Sequence, residues 1–199
     1  MTHATDTGAA AGTDDRAGIL LVDDMEDNLA ALEAVLGSLG EPLVRARSGE
    51  EAMKALLRQE FAVVLLDILM PGMDGFETAS NIKRLDQTKD IPIIFLTGTD
   101  SDSGFAFRGY STGAADYLTK PFDPWVLRAK VNVFLDLHRK NRQLRRLIKQ
   151  DHARMAELAD RISEIEHQLS GSGSPGERDL APSVARMAES VRALGRGRS

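Results

Sequence analysis

The chain has 199 residues and no cysteine, so neither a disulfide framework nor a thiolate metal site is available to it. Aromatic residues make up only 5% of a composition that is 42% hydrophobic. The core must therefore be aliphatic, which suits parallel strands buried on both faces. No apolar run reaches the ~18 residues of a membrane span, and no basic start followed by an apolar segment marks a signal peptide. We expect a cytoplasmic protein without a membrane partner.

The net charge of −5 argues against a protein devoted mainly to binding nucleic acid, and DNA is not an expected partner. One local cluster of basic residues nevertheless occurs over 139–149. A solvated helix surface is the interpretation that we favour for it, with nucleic acid and acidic lipid as the alternatives. The basic residues are mostly arginine, a composition that suggests a GC-rich bacterial genome.

The length allows one domain of ordinary size and an appendage. From residue 18 onward, short apolar runs alternate with segments of helical periodicity. Five such units predict an α/β fold with a parallel, doubly wound sheet and right-handed crossovers. The predicted strands are 19–22, 43–46, 63–66, 93–96 and 116–118, and the predicted helices are 28–39, 49–58, 74–85, about 103–112, and one that starts at Asp123-Pro124.

Polar side chains follow the apolar runs at the points where the strands end. They are Asp23, Asp24, Asp67, Thr97 and Lys120. In an open parallel sheet the carboxyl ends of the strands converge on one crevice, where ligands bind. Three carboxylates, a hydroxyl and an ammonium in one crevice predict a site for one divalent cation and one phosphoryl group.

These residues, in this order and with the sequence DILMPGMDG over 67–75, resemble the response-regulator receiver domain of two-component signalling. The resemblance covers about 18–139 and implies a flavodoxin-like fold. It also implies that Asp67 accepts a phosphoryl group from a histidine kinase, with Mg²⁺ as the cofactor. A carboxylate attacks phosphorus only when its charge is offset and the phosphoryl group is held in line.

The same resemblance assigns the surrounding residues. Mg²⁺ would be held by Asp23, Asp24, Asp67 and the backbone carbonyl of Leu69, with Asp24 the more direct ligand of the acidic pair. Lys120 would bind a phosphoryl oxygen, and Pro121 would follow a cis peptide bond. The expected switch pair is Thr97 and Tyr117.

The last helix is predicted to continue past the domain, because no Gly or Pro occurs between Trp125 and Ser170. Apolar residues repeat every seven positions in two series offset by three, over about five heptads, which is typical of a left-handed coiled coil. Two polar residues interrupt this seam. The predicted seam residues are Phe134, Leu137, Asn141, Leu144, Ile148, Asp151, Met155, Leu158, Ile162, Ile165 and Leu169.

We predict a homodimer with parallel helices, because receivers that extend one continuous helix commonly pair in this way. An antiparallel pair would instead place the basic half of the helix near acidic residues around Glu157 and Glu164, and the charges do not decide between the two. The predicted organisation is a disordered leader over 1–17, a receiver domain over 18–136, a coiled coil over 137–170, and a flexible linker with a basic tail over 171–199.

We therefore interpret the chain as a response regulator that is not itself an enzyme and that signals to an unidentified protein effector. Two alternatives stay open: a coiled-coil adaptor, and a relay intermediate that passes the phosphoryl group to a histidine phosphotransfer protein. An aspartate-nucleophile phosphatase is disfavoured, because such enzymes carry an Asp-x-Asp motif and the residue two after Asp67 is Leu69.

Overall fold

The computed structural model of the chain describes residues 18–98 and 113–171, together with Val184, Arg186, Met187, Glu189 and Val191. Nine strands and helices and one short 3₁₀ helix form this part of the chain. The strands are β1 (Gly18–Val22), β2 (Leu43–Ala46), β3 (Phe61–Asp67), β4 (Ile93–Thr97) and β5 (Asp116–Thr119). The helices are α1 (Glu26–Leu36), α2 (Gly49–Leu56), α3 (Gly75–Arg84) and α4 (Pro124–Gly171), and the 3₁₀ turn Gly37–Leu39 follows α1.

The five strands form one sheet in the order β2-β1-β3-β4-β5, and every neighbouring pair is parallel. β1 and β3 lie in the middle, and both are buried along their whole length. The predicted parallel α/β fold is confirmed. The chain reverses its direction of crossover after β2, so the ends of β1 and β3 flank the point where ligands bind in such sheets.

The sheet separates two aliphatic cores, because successive side chains of a strand point to opposite faces. On one face, α1 and α4 cover the side chains that include Ile19, Leu65 and Leu96. On the other, α2 and α3 cover those that include Leu20, Leu66 and Phe95. The ring of Phe95 packs 5.1 Å from that of Phe76 on α3, one of few aromatic contacts that this composition permits.

Side-chain caps begin three of the four helices. At the start of α4, the carboxylate of Asp123 accepts a hydrogen bond from the backbone N–H of Trp125 at 2.6 Å. The hydroxyl of Ser48 accepts a hydrogen bond from the backbone N–H of Glu51 at 3.2 Å and begins α2. The carboxylate of Asp74 accepts one from the N–H of Glu77 at 2.7 Å and begins α3. Each cap satisfies an N–H group that has no partner within its own helix.

The last helix runs without interruption from Pro124 to Gly171, so its predicted extension is confirmed. The predicted helix near 103–112 and the predicted leader over 1–17 lie outside the described residues, as does most of the predicted tail. The chain divides into two compact units, residues 1–139 and 140–199. None of the helices in the described part combines the length and the apolar character that a membrane span requires.

Within the second unit, the two sides of α4 differ in exposure. Ala159 is only 3% exposed, and Met155 and Ile162 on the same side are half-buried. Apolar residues on the adjacent side remain exposed, among them Leu144, Leu158 and Ile165.

Candidate functional site

The polar residues predicted to converge lie at the carboxyl ends of β1, β3 and β5, and β4, which ends in Thr97, lies between the last two. Asp23 directly follows β1, Asp67 is the last residue of β3, and Lys120 directly follows β5. The backbone N–H of Lys120 donates to the carbonyl of Thr97 at 2.6 Å, which aligns the end of β5 with the end of β4. The sheet register therefore brings side chains that are up to 97 positions apart in sequence into contact.

The ammonium of Lys120 connects the two buried carboxylates. Its Nζ lies 2.6 Å from Oδ1 of Asp67 and 2.7 Å from Oδ2 of Asp23. Asp23 is fully buried, Asp67 is 7% exposed, and the Lys120 side chain is 26% exposed. One ammonium in contact with both carboxylates offsets part of the cost of burying two negative charges.

Burial and charge shift the proton affinities of this cluster. Burial raises the pKa of the Asp67 carboxyl above its ordinary value, and the hydrogen bond from Lys120 offsets part of that rise. Burial acts in the opposite sense on Lys120, but the hydrogen bonds and charges of Asp23 and Asp67 outweigh it, so the pKa of Lys120 is raised. Lys120 therefore stays charged wherever the two carboxylates are ionised.

One residue of this cluster was missed in the sequence. The amide Nδ2 of Asn28, in the first turn of α1, lies 2.9 Å from Oδ1 and 3.0 Å from Oδ2 of Asp23. The periodicity of the apolar residues predicted Asn28 only as the start of a helix. The available signal was a polar residue next to Leu29, on the side of α1 that faces the sheet.

Asp24 and Leu69, the other predicted ligands, lie beside the cluster. Asp24 is half-buried, and Leu69 is 71% exposed at the start of the loop that follows β3. Among the described residues no group of three acidic or histidine side chains lies close enough together to hold a metal ion. Mg²⁺ keeps several waters and takes as few as one or two protein carboxylates, so the oxygen donors of Asp24 and Asp67 fit it chemically.

The predicted switch residues lie on the other side of Asp67. Thr97 ends β4 and is 7% exposed, and its hydroxyl donates to the carbonyl of Gly98 at 3.2 Å. Tyr117 lies on β5 with its side chain 41% exposed. The peptide bond between Lys120 and Pro121 is cis.

The loop that follows Asp67 is closed by the start of α3. The N–H of Gly75 donates to the carbonyl of Ile68 at 3.0 Å. A Cβ atom at position 75 would lie 2.3 Å from the carbonyl oxygen of Asp67 and 2.8 Å from Cα of Ile68. Only glycine lets the first turn of α3 approach the backbone of the predicted acceptor this closely.

The predicted seam residues have different surroundings. Phe134 packs, partly buried, against the core that α1 and α4 share, and therefore contributes to the first unit. The interrupting residues Asn141 and Asp151 are exposed, and the side chain of Leu169 lies outside the described set. Five apolar seam residues are 43% to 56% exposed: Leu137, Leu144, Ile148, Leu158 and Ile165.

Comparison with known proteins agrees with this geometry. Residues 19–132 match the family described as the response regulator receiver domain. Protein PilH of Pseudomonas aeruginosa is 38% identical over 120 residues, which cover 60% of this chain and 98% of PilH. Response regulator PleD of Caulobacter vibrioides is 39% identical over 115 residues, which cover 58% of this chain and 25% of PleD.

Solved structures lead to the same family. Chemotaxis protein CheY4 of Vibrio cholerae is similar with a TM-score of 0.57 at 30% identity, covering 60% of this chain and 99% of CheY4. A putative response regulator from Chloroflexus aurantiacus has a TM-score of 0.57 at 36% identity, covering 61% of this chain and 98% of that one. The chain thus spans almost all of some relatives but only a quarter of PleD, and the similarity lies in the part of the chain that ends before most of α4.

Proposed function

Because the chain belongs to the response regulator receiver family, we propose that it is a phosphorylation-dependent response regulator whose acceptor is Asp67. The observation that supports this most directly is the contact of the Lys120 ammonium, 2.6 Å from Oδ1 of Asp67. A buried carboxylate needs such a cation if it is to accept a group that brings further negative charge. A sensor histidine kinase is the proposed donor.

The proposed reaction is an in-line transfer of a phosphoryl group. An oxygen of Asp67 bonds to phosphorus while the bond from phosphorus to the imidazole nitrogen of the kinase breaks, which leaves that histidine neutral. Lys120 then pairs with a phosphoryl oxygen, since its ammonium already contacts Asp67. Asp24, Asp67 and the carbonyl of Leu69 are the proposed ligands of Mg²⁺, with Asp23 beside them; the bound ion would neutralise charge on the transferring oxygens.

The proposed readout involves Thr97 and Tyr117. The hydroxyl of Thr97 would turn toward the phosphoryl group, and the half-exposed ring of Tyr117 would then move inward. Such a movement would change the surface beside β5, where an effector could distinguish the two states.

Phosphorylation of Asp67 is the first testable prediction. Incubation with acetyl phosphate and Mg²⁺ should add one phosphoryl group to the parent chain, because Asp67 is the buried acid that contacts Lys120. Intact mass spectrometry should detect no adduct on Asp67→Asn, nor on the parent in the presence of a chelator. Asp86→Asn is the matched control, since that acid has a side chain 93% exposed, and it should react like the parent. An undiminished adduct on Asp67→Asn would reject the assignment.

We also propose that α4 pairs with a second copy of the chain along its exposed apolar seam. The supporting observation is that Leu144, Ile148, Leu158 and Ile165 remain 43% to 56% exposed in one chain. Apolar side chains at this heptad spacing become buried when two helices with the same repeat pack together. The parallel orientation stays a prediction. The coiled coil would then supply the surface for output.

Disruption of the seam is the second prediction. Leu144→Asp combined with Leu158→Asp should convert a dimer to a monomer by light scattering, because two buried carboxylates on each helix would have no partner. The double variant Gln143→Asp with Gln150→Asp changes the charge by the same amount at exposed positions outside the seam, and it should remain dimeric. A Leu144→Asp, Leu158→Asp variant that dimerised like the parent would place the interface elsewhere.

A further inference from the structure

Asp23 has both carboxylate oxygens fully engaged in a buried site. Oδ1 accepts from the N–H of Met25 at 2.9 Å and from Nδ2 of Asn28 at 2.9 Å. Oδ2 accepts from Nδ2 of Asn28 at 3.0 Å and from Nζ of Lys120 at 2.7 Å. A carboxylate offers about four lone-pair positions, so these contacts leave Asp23 without a vacant one.

Two of the three groups that contact Asp23 have fixed positions. The N–H of Met25 belongs to the backbone, and the backbone of Asn28 is fixed by the start of α1, where its N–H donates to the carbonyl of Met25 at 3.1 Å. Because the Asn28 amide spans both oxygens, it determines the rotation of the carboxylate. Lys120 has a long flexible side chain, so its position depends on where Asp23 presents Oδ2.

We propose that Asn28 is a positioning residue for phosphoryl transfer: its amide holds Asp23, and through Asp23 it holds the Lys120 ammonium against Asp67. This inference rests on the proposed function of Asp67. A neutral amide suits the task, because it donates hydrogen bonds without competing with Lys120 as a second cation. The amide also gives the two adjacent acids different roles. Asp23, whose oxygens are fully hydrogen-bonded, holds Lys120, while the half-buried Asp24 can bind a cation.

Replacement of Asn28 should therefore lower the rate of phosphorylation without lowering the affinity for Mg²⁺. Asn28→Leu keeps the approximate shape but removes the donors, so two positions on Asp23 become vacant and Asp23 can draw Lys120 away from Asp67. We expect the rate of phosphorylation by saturating acetyl phosphate to fall about 10- to 100-fold, the usual effect of removing such an outer partner. The concentration of Mg²⁺ that half-saturates binding in calorimetry should not rise, because Asp24 and Asp67 are unchanged.

Two further variants complete the set. Asn28→Gln retains the amide at a longer reach and should restore part of the lost rate. Asp27→Ala alters the exposed neighbour in the same turn and should react like the parent. A purely structural role for Asn28 would lower the rate and the metal affinity together, in proportion to the loss of folded protein.

A double-mutant cycle tests the same contact without phosphorylation. If Asn28 acts on Lys120 through Asp23, the losses of thermal stability in Asn28→Leu and Lys120→Met should be non-additive in the double variant. Additive losses of stability, or a rate of phosphorylation in Asn28→Leu equal to that of the parent, would overturn the inference about Asn28. The proposed function would still stand in that case, provided that the parent chain is phosphorylated. No adduct on the parent chain would instead reject the proposed function and this inference with it.

Discussion

Replacing Lys120 with methionine should destabilise the receiver unit by about 3–5 kcal/mol, the usual loss when one partner of a buried ion pair is removed. The ammonium lies 2.7 Å from Asp23 and 2.6 Å from Asp67, and both acids are almost completely buried. Without it, two largely buried carboxylates would lie close together with no compensating cation. Denaturant unfolding followed by circular dichroism measures the loss, and methionine retains most of the apolar volume of the lysine stem.

The matched control is the same substitution at Lys130, which pairs with Asp116 near the surface. Both of those side chains are a quarter to a third exposed, so we expect Lys130→Met to lower stability by less than about 1 kcal/mol. Asp67→Asn added to Lys120→Met should recover part of the larger loss, since it removes one of the two stranded charges. Equal losses at Lys120 and Lys130 would contradict the importance assigned to the buried cluster.

The pH dependence of stability has a definite sign at Asp67. Burial raises the pKa of its carboxyl in the folded state above the unfolded value of about 3.9, so the folded chain binds this proton more tightly than the unfolded chain. The ionised Asp67 therefore lowers the free energy of unfolding above its folded pKa, and this penalty disappears as the pH falls toward the unfolded value. In Lys120→Met the penalty is larger, so the difference between variant and parent should shrink in acid. A difference that grew as the pH fell would contradict this explanation.

Phosphotransfer should be affected by Lys120→Met as well. The variant keeps Asp67, Asp24 and the carbonyl of Leu69, so we expect its Mg²⁺ affinity to remain within a few-fold of the parent. Its rate of phosphorylation should fall much further, because nothing replaces the ammonium beside the phosphoryl oxygens.

The parallel sheet was predictable because its central strands are uninterrupted apolar runs. Leu65 and Leu66 of β3 are buried on opposite faces of the sheet, which a continuous apolar run indicates directly. The convergence of the polar residues that follow those runs was also predictable, because parallel strands all end at the same edge of the sheet. The contact between Lys120 and Asp67 follows from the sheet register rather than from sequence spacing.

Phe134 shows where periodicity alone is ambiguous. It belongs to the seven-residue series of the predicted seam, but it also falls on the side of α4 that carries Leu127, Val131 and Leu135 into the core. A coiled coil repeats every 3.5 residues and an ordinary helix every 3.6 residues. Over a few turns the two repeats nearly coincide, so one residue can fit both patterns. The distinction needs the position of the sheet, which the local pattern does not contain.

Asn28 and Gly75 were missed as parts of the site for a related reason. Asn28 was predicted only as the first residue of a helix, and Gly75 only as the last residue of the 67–75 motif, without a contact assigned to either. Their contacts with Asp23 and with the carbonyl of Asp67 depend on how the helices pack against the ends of the strands. Close approach of this kind is a property of packing, so the residue type alone does not indicate it.

Gly75→Ala should have the second large effect. The added Cβ would lie 2.3 Å from the carbonyl oxygen of Asp67 and 2.8 Å from Cα of Ile68. Both are backbone atoms, so the contact cannot be relieved by turning a flexible side chain. Either the first turn of α3 or the end of β3 must shift, and we expect a loss of about 1–3 kcal/mol in the free energy of unfolding.

The same shift should impair the acceptor itself. Asp67 would no longer present its carboxylate to Lys120 at hydrogen-bonding distance, and the loop that carries the Leu69 carbonyl would move with it, so the rate of phosphorylation should fall at least tenfold. Gly37→Ala is the matched control: no atom lies within 4 Å of its added Cβ, and its φ of −56° suits alanine. That variant should be unchanged or more stable by up to about 1 kcal/mol, because alanine restricts the unfolded chain. If Gly75→Ala matched Gly37→Ala in both stability and rate, the close approach of α3 to Asp67 would have no functional role, and the position of the acceptor would have to depend on the sheet alone.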